Sequence, residues 1–356
     1  MTNKQPSSAV TDPVSTRLIQ LNRQSNGRYK WGVQKREIPQ LGDHQVLVHM
    51  RAASIQHGDV KINDYLENIF GITADISGQI GGSDAAGEVV KVGPLVKSVK
   101  PGQQVVSLFF VDYVDAPLTD DKLTQSHGWT TDGVFGDFVV LSETGLAPMP
   151  EWMSYEEAAT LPSSALTAWS ATCGKGFVKK GDVVLVEGTG GVSMFALQFA
   201  IAQGAQVIVT SSSDEKIKRA MAMGAMAGIN YKKEPDWSAR VRELTAGRGA
   251  DLVIDIGGVS TMAQSLSSVA NEGTLALVGG LDGYDASIST YTLITRGISA
   301  RGVMAGSRAD LIRMCAFMTE HQIHPMIDGV FDFVDFQQAM DRIESGNFMG
   351  KLVLKM

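Results

Sequence analysis

The chain has 356 residues, a length that suggests two domains at roughly 150 residues apiece. Hydrophobic residues make up 44% and charged residues 19%. This is the balance of a globular protein with a sizeable core, and it excludes global disorder. Basic side chains number 31 against 38 acidic ones, a formal net charge of −7, which argues against a nucleic-acid partner and against docking on an anionic membrane. The two cysteines, Cys173 and Cys315, cannot build a disulfide framework or a four-cysteine zinc site. A reducing, cytoplasmic setting is the expectation.

Residues 1–16, MTNKQPSSAVTDPVST, lack the apolar core of a secretory signal and read as a mobile leader. Nothing downstream approaches the run of about 18 apolar residues that a membrane span needs. From Arg17 to Ser142 the pattern is short and strand-like: Gln45–Met50, Ala86–Gly93, Gln104–Phe109 and Gly136–Leu141, with Gly and Pro turns between them. Such spacing predicts a compact, mostly antiparallel β domain. At Ser154-Tyr155-Glu156-Glu157 the rhythm changes, with Ser as N-cap and Glu at the third helical position.

Beyond Lys180 buried strands alternate with helices. Val183–Val186 precedes a glycine turn and a helix over Met194–Gln203. Gln206–Thr210 precedes a helix over Asp214–Met223. A helix over Trp237–Thr245 leads to the strand Asp251–Asp255, and a helix to about Ala270 leads to the strand Thr274–Val278. Near-continuous apolar strands with helical spacers imply a parallel sheet covered on both faces, a doubly wound α/β domain. The tail resumes the mixed pattern of the N-terminal part and ends on the strand Lys351–Leu354, with a helix boundary expected near Pro325.

The strand Val183–Val186 runs directly into Gly188-Thr189-Gly190-Gly191-Val192-Ser193. This is G-x-G-x-x-G with serine at the third glycine place, in the strand–turn–helix context that gives the motif meaning. The first glycine makes the turn, the second lets backbone approach a pyrophosphate, and the third lets helix pack on strand. The helix that follows aims free N–H groups and its positive dipole end at phosphate. About 20 residues on, where an acidic side chain would bind a ribose 2′-hydroxyl, stand Ser211-Ser212-Ser213, then Asp214, Glu215 and Lys216. Hydroxyls and a lysine suit a 2′-phosphate, so NADPH is favoured over NADH, while the same serines also serve as helix caps.

These residues, with Gly82–Val89, Ala158–Pro162, Leu166–Trp169, Ile229-Asn230-Tyr231 and Gly350–Val353, resemble the medium-chain dehydrogenase/reductase superfamily. Within it the chain is most similar to the zinc-free quinone oxidoreductase and zeta-crystallin-like enzymes. The resemblance implies a GroES-like catalytic domain from residues 17–160 and 306–356, around a Rossmann domain over residues 161–305. It also places Thr167 under the nicotinamide, Tyr231 beside the adenosine phosphate, and Gly257, Gly279, Gly280 and Leu281 at the cofactor edge. Where zinc-dependent members hold their catalytic metal, the matching positions are Gln56, Ser83 and Ser163, and these are poor zinc ligands. No metal is therefore expected.

Gln56, Asp59 and Lys61 are the catalytic candidates, with Tyr65 on the same segment and Asp59 expected to orient its neighbours. The implied activity is zinc-independent, NADPH-dependent hydride transfer to a quinone, an α,β-unsaturated carbonyl or a related small-molecule carbonyl. The alternatives are a zinc-free alcohol dehydrogenase and a non-catalytic dinucleotide sensor. By the same resemblance, the segment Ile298–Val303 is the edge through which a homodimer would pair.

Overall fold

The computed structural model describes residues 13–68, 75–173 and 178–356. The chain opens with strands β1 (Ser15–Arg23), β2 (Tyr29–Glu37) and β3 (Gln45–Ile55), helices α1 (His57–Val60) and α2 (Ile62–Asn68), then β4 (Asp84–Val92), β5 (Gln104–Ser107), β6 (Phe138–Ser142) and β7 (Leu146–Pro148). Helix α3 (Tyr155–Ala158), a π-turn over Leu161–Ala165 and α4 (Leu166–Thr172) lead into the second half. There β8 (Val183–Glu187), α5 (Gly191–Ala202), β9 (Gln206–Ser211), α6 (Asp214–Ala222), β10 (Ala227–Asn230), α7 (Trp237–Leu244), β11 (Ala250–Asp255), α8 (Met262–Ser268), β12 (Val269–Leu277), α9 (Thr290–Arg296) and β13 (Ser299–Gly302) alternate. Helix α10 (Arg308–His321), β14 (Ile327–Asp332), α11 (Phe336–Glu344) and β15 (Lys351–Lys355) close the chain.

β1 and β2 form an antiparallel hairpin. The larger β sheet runs β14-β15-β3-β4-β5-β7, with β6 also paired to β3. The last strand of the chain thus pairs with β3, and the tail closes the domain that the N-terminal part begins. Its core holds Leu18, Leu21, Val46, Val48 and Met50 against Phe135 and Leu354. The other sheet runs β10-β9-β8-β11-β12-β13 and is parallel throughout. Alternate residues of β8 face opposite layers, as strand pleating requires. Val184 and Val186 pack with Phe195 and Phe199 of α5, while Val183 and Leu185 pack with Trp237, Val241 and Leu266. The strand order reverses between β8 and β11, and the crevice outside their carboxyl ends is where doubly wound sheets bind ligands. The fold is therefore the GroES-like plus Rossmann-type α/β architecture that the sequence implies.

Several boundaries differ from the sequence pattern. Ser15 and Thr16 belong to β1 rather than to a mobile leader; residues 1–12 lie outside the described residues. Helix α5 starts at Gly191, three residues before the expected Met194, because the glycine turn itself enters the helix. β12 starts at Val269 rather than Thr274, taking residues assigned to the preceding helix. Helix α10 stops at His321 with Gln322 in the left-handed region, φ 53°, so a left-handed cap ends it before Pro325 can.

Candidate functional site

At the end of β8 the chain turns through Gly188-Thr189-Gly190 into α5. Gly188 takes φ +72°, a conformation glycine adopts without strain. An added Cβ at Gly190 would meet nothing within 4 Å, whereas at Gly191 it would lie 2.6 Å from Lys351 Cδ and 2.8 Å from Ser164 Oγ. Ser193, at the third glycine place, donates its hydroxyl to the Glu187 carbonyl at 2.7 Å and so ties helix to strand. The first turn of α5 carries no acidic residue, which leaves its positive dipole end uncompensated over the turn. The Gly350 N–H donates to the Thr189 carbonyl at 2.9 Å, joining the loop to the end of the chain. Val192 packs beside the core behind it.

At the tip of β9, Ser211 is buried and its Oγ accepts the Ser213 N–H at 3.3 Å. Ser213 caps α6, accepting the Lys216 N–H at 3.4 Å, and Ser212 lies between them, partly exposed. Lys216 is not a free cation here: its Nζ donates to the Gly346 carbonyl at 2.6 Å. The carboxylate of Asp214 is held by Asn230 Nδ2 at 2.6 Å and Lys233 Nζ at 2.5 Å, so its charge has partners of its own. Tyr231 is 41% exposed beside this edge.

The second feature lies in the other domain. Gln56 Nε2 donates to Ser83 Oγ at 2.8 Å and to Ser163 Oγ at 2.6 Å. Both hydroxyls donate in turn to Asp84 Oδ1, at 2.9 and 2.7 Å. Gln56 follows β3, Ser83 precedes β4, and Ser163 sits in the π-turn before α4, a local helix distortion often found at functional sites. Asp84 is wholly buried, and desolvation raises its pKa against the pull of Lys351 and the serine hydrogen bonds. Lys351 is buried too; burial lowers its pKa while Asp84 and Asp59 raise it, and its Nζ donates to the Ile55 carbonyl at 3.0 Å.

The remaining candidates take different places. Asp59 accepts the Gln56 N–H at 2.8 Å and its carbonyl accepts Trp31 Nε1–H at 2.7 Å. It orients Gln56 from behind, with a pKa raised to about 7 mainly by burial. Lys61 instead forms an ion pair with Glu344 on α11 at 3.4 Å, outside the Gln56 cluster. Thr167 is buried one turn after Ser163 on α4. Gly257 follows β11, and Gly279, Gly280 and Leu281 follow β12, where the Leu281 N–H reaches the Ile256 carbonyl at 3.3 Å. All four lie at the carboxyl edge of the parallel sheet.

Sequence reasoning missed Glu187 and Asp255, which end β8 and β11 at the switch point. Ser265 Oγ donates to Glu187 Oε1 at 2.5 Å, and Thr261 Oγ1 lies 3.0 Å from Asp255 Oδ2. Desolvation, then the neighbouring Asp255 charge, raises the Glu187 pKa to about 8. The available signal was a carboxylate closing an apolar strand immediately before a glycine turn.

Two family models match: an alcohol dehydrogenase GroES-like domain over residues 42–151 and a zinc-binding dehydrogenase domain over residues 191–320. A zinc-type alcohol dehydrogenase-like protein of Schizosaccharomyces pombe is 39% identical over 326 residues, covering 90% of this chain and 93% of its own length. The chain belongs to the medium-chain dehydrogenase/reductase superfamily. A Sinorhizobium meliloti structure assigned as an alcohol dehydrogenase shares 33% identity, with a TM-score of 0.88 over 97% of this chain and 100% of that one. A crotonyl-CoA reductase of Streptomyces avermitilis is 27% identical over 88% of this chain and 79% of its own length. The protein is thus a medium-chain oxidoreductase that uses a nicotinamide dinucleotide, and the β8–α5 turn fits one.

Zinc, which the family description implies, is a different matter. One amide and two hydroxyls that already bond one another replace the thiolate and imidazole donors zinc prefers. No group of three or more His, Cys, Asp or Glu suited to a metal occurs among the described residues. The side chains at this place do not fit a zinc ion.

Proposed function

We propose that this member is a zinc-independent, NADPH-dependent reductase of quinones, α,β-unsaturated carbonyls or related carbonyls. The observation that supports it is the Gln56–Ser83–Ser163 cluster seated on Asp84. Gln56 spends both amide hydrogens fixing the two serines, and Asp84 holds their hydroxyls from below, so a rigid polar floor stands where a metal would otherwise polarise the acceptor. Asp59 fixes the backbone of Gln56, and Thr167 supports the cofactor ring from α4. When bound, the reduced nicotinamide supplies the hydride, with the proton coming from solvent, since both serine hydroxyls already donate to Asp84. Fixed orientation in a site that excludes water is the main requirement on the protein.

Preference for the 2′-phosphate rests on the serine run at the end of β9 and on the engagement of Asp214 by Asn230 and Lys233. An unpaired carboxylate there would repel phosphate. Loss of NADPH absorbance with a panel of quinones, enones and aldehydes tests the reaction, and turnover should be indifferent to a chelator. Activity abolished by chelator and restored by zinc would overturn metal independence. Ser212→Asp should weaken NADPH binding about tenfold or more while sparing NADH, the cost of placing like charges close together. Equal effects on the two coenzymes would remove the phosphate assignment.

A further inference from the structure

Three aromatic side chains from three separate segments meet between the Gln56 floor and the end of β12. Tyr65, on α2, packs against Trp129 with ring centroids 5.4 Å apart and planes tilted by 44°. Tyr284, from the loop after β12, stands edge-on to Tyr65 at 6.4 Å and 89°, and its O–H donates to the Tyr65 oxygen at 3.4 Å. Two glycines let the outer rings descend onto backbone. A Cβ on Gly58, two residues beyond Gln56, would lie 2.5 Å from the Trp129 ring, and one on Gly280 would lie 2.8 Å from the Tyr284 ring. The row therefore runs from the segment that carries Gln56 to the sheet edge that faces the cofactor. Trp129 is 6% exposed and backs the row, while Tyr284 is 57% exposed and forms its open end. Burial holds the Tyr65 pKa above the ordinary phenol value, so the Tyr65 ring stays neutral. Leu281, also exposed, extends the apolar rim, and the charged neighbours of Tyr284 in sequence are Asp282 and Asp285, which disfavour an anionic substrate.

We propose that Tyr65 and Tyr284, backed by Trp129, form an aromatic wall of the substrate cleft that selects planar, uncharged acceptors whose carbonyl is conjugated to an aromatic ring. The proposal rests on the reductase assignment above and narrows its substrate class. An aromatic ring in the substrate gains face or edge contacts with two tyrosines, contacts that a short alkyl chain of equal reactivity does not make. Tyr284 is a specificity residue rather than a chemical one, and the Gln56 cluster is untouched by its replacement.

The test compares 4-phenyl-3-buten-2-one with 3-penten-2-one on coenzyme-saturated enzyme. Tyr284→Ala should lower kcat/KM for the aryl enone about tenfold, mostly through KM, and for the alkyl enone less than about threefold. Coenzyme affinity should not change. Tyr284→Phe should keep the aryl preference, since the ring and not the hydroxyl carries it. Equal losses on both enones, no loss on either, or a Phe variant as impaired as the Ala variant would each overturn the wall. If the wild-type enzyme reduces neither enone, the reductase assignment fails, and the wall is then judged by binding alone. Calorimetry of the unreactive amides cinnamamide and crotonamide on the enzyme–coenzyme complex should show preference for cinnamamide, lost in Tyr284→Ala. Absence of that preference overturns the wall whatever the enzyme reduces.

Discussion

At the residue scale the most consequential groups are carboxyls held away from water. Glu187 is buried beside Asp255, with Ser265 of α8 and Thr261 at the N-cap of that helix facing the pair, and Asp282 adding a further negative influence on Asp255. Its pKa rises from 4.5 to about 8, so the folded protein keeps a proton that the unfolded chain loses. Stability contributed by this proton is present at low pH and is lost as pH climbs from about 4.5 to about 8, after which the dependence flattens. Glu187→Gln keeps the shape and an acceptor for Ser265 but no longer titrates. The variant should show a shallower fall in stability across that window and exceed the wild type at pH 8.5, as read by denaturant midpoints at several pH values. Identical slopes in the two proteins would show that Glu187 is charged in the folded state. Asp59, raised to about 7, pulls in the same direction over a narrower window.

At the scale of elements, the β8–α5 unit separates two uses of glycine that the motif alone merges. Gly190 faces open space, and Gly191 faces Lys351 and Ser164 at contact distance. Gly190→Ala should fold with near wild-type stability, because φ −79° suits alanine, yet bind coenzyme about tenfold or more weakly, because a methyl group would occupy the approach to the diphosphate. Gly191→Ala should instead destabilise the protein by about 1–3 kcal/mol through overpacking against buried neighbours. Thermal midpoints and coenzyme titrations on both variants check the split. The same unit shows how a departure from the motif is absorbed: the Ser193 hydroxyl bonds the strand's last carbonyl and holds the helix against the strand.

At the scale of the molecule, the end of the chain connects the two halves. β15 pairs with β3 on one side, while Gly350 bonds the glycine turn and Lys351 is buried near Asp84. The polar floor and the coenzyme turn are thereby joined through two consecutive residues near the end of the chain. The parallel sheet ends at β13, paired only to β12 among the described strands. Beside it α9 exposes Tyr291 at 76% and Ile294 at 80%. An unpaired edge strand next to apolar side chains is a template for association, and we propose that a second copy of this chain covers it. Sedimentation should report a dimer for the wild type and a shift toward monomer for Ile294→Asp. A monomeric wild type would remove the assignment.

The nucleotide-binding half was legible because its signals are local. Apolar strands, the glycine turn and the capping serine each act within a few residues, and their periodicity survives any tertiary context. Element ends were less legible where one residue type serves two structures, as at Val269, which suits either the end of a helix or the start of a strand. Sequence resemblance singled out Gln56, Ser83 and Ser163, but not their mutual hydrogen bonds, nor Asp84 as the shared acceptor. Gln56 and Ser163 are 107 positions apart, Tyr65 and Tyr284 are 219 apart, and Lys61 turned to Glu344 rather than to the cleft. Composition and pattern therefore determined the two layers and the coenzyme turn. Which polar and aromatic side chains face one another across the cleft was decided only when the strands paired, because hydrogen bonds and ring contacts depend on distances of a few ångströms that no spacing along the chain encodes.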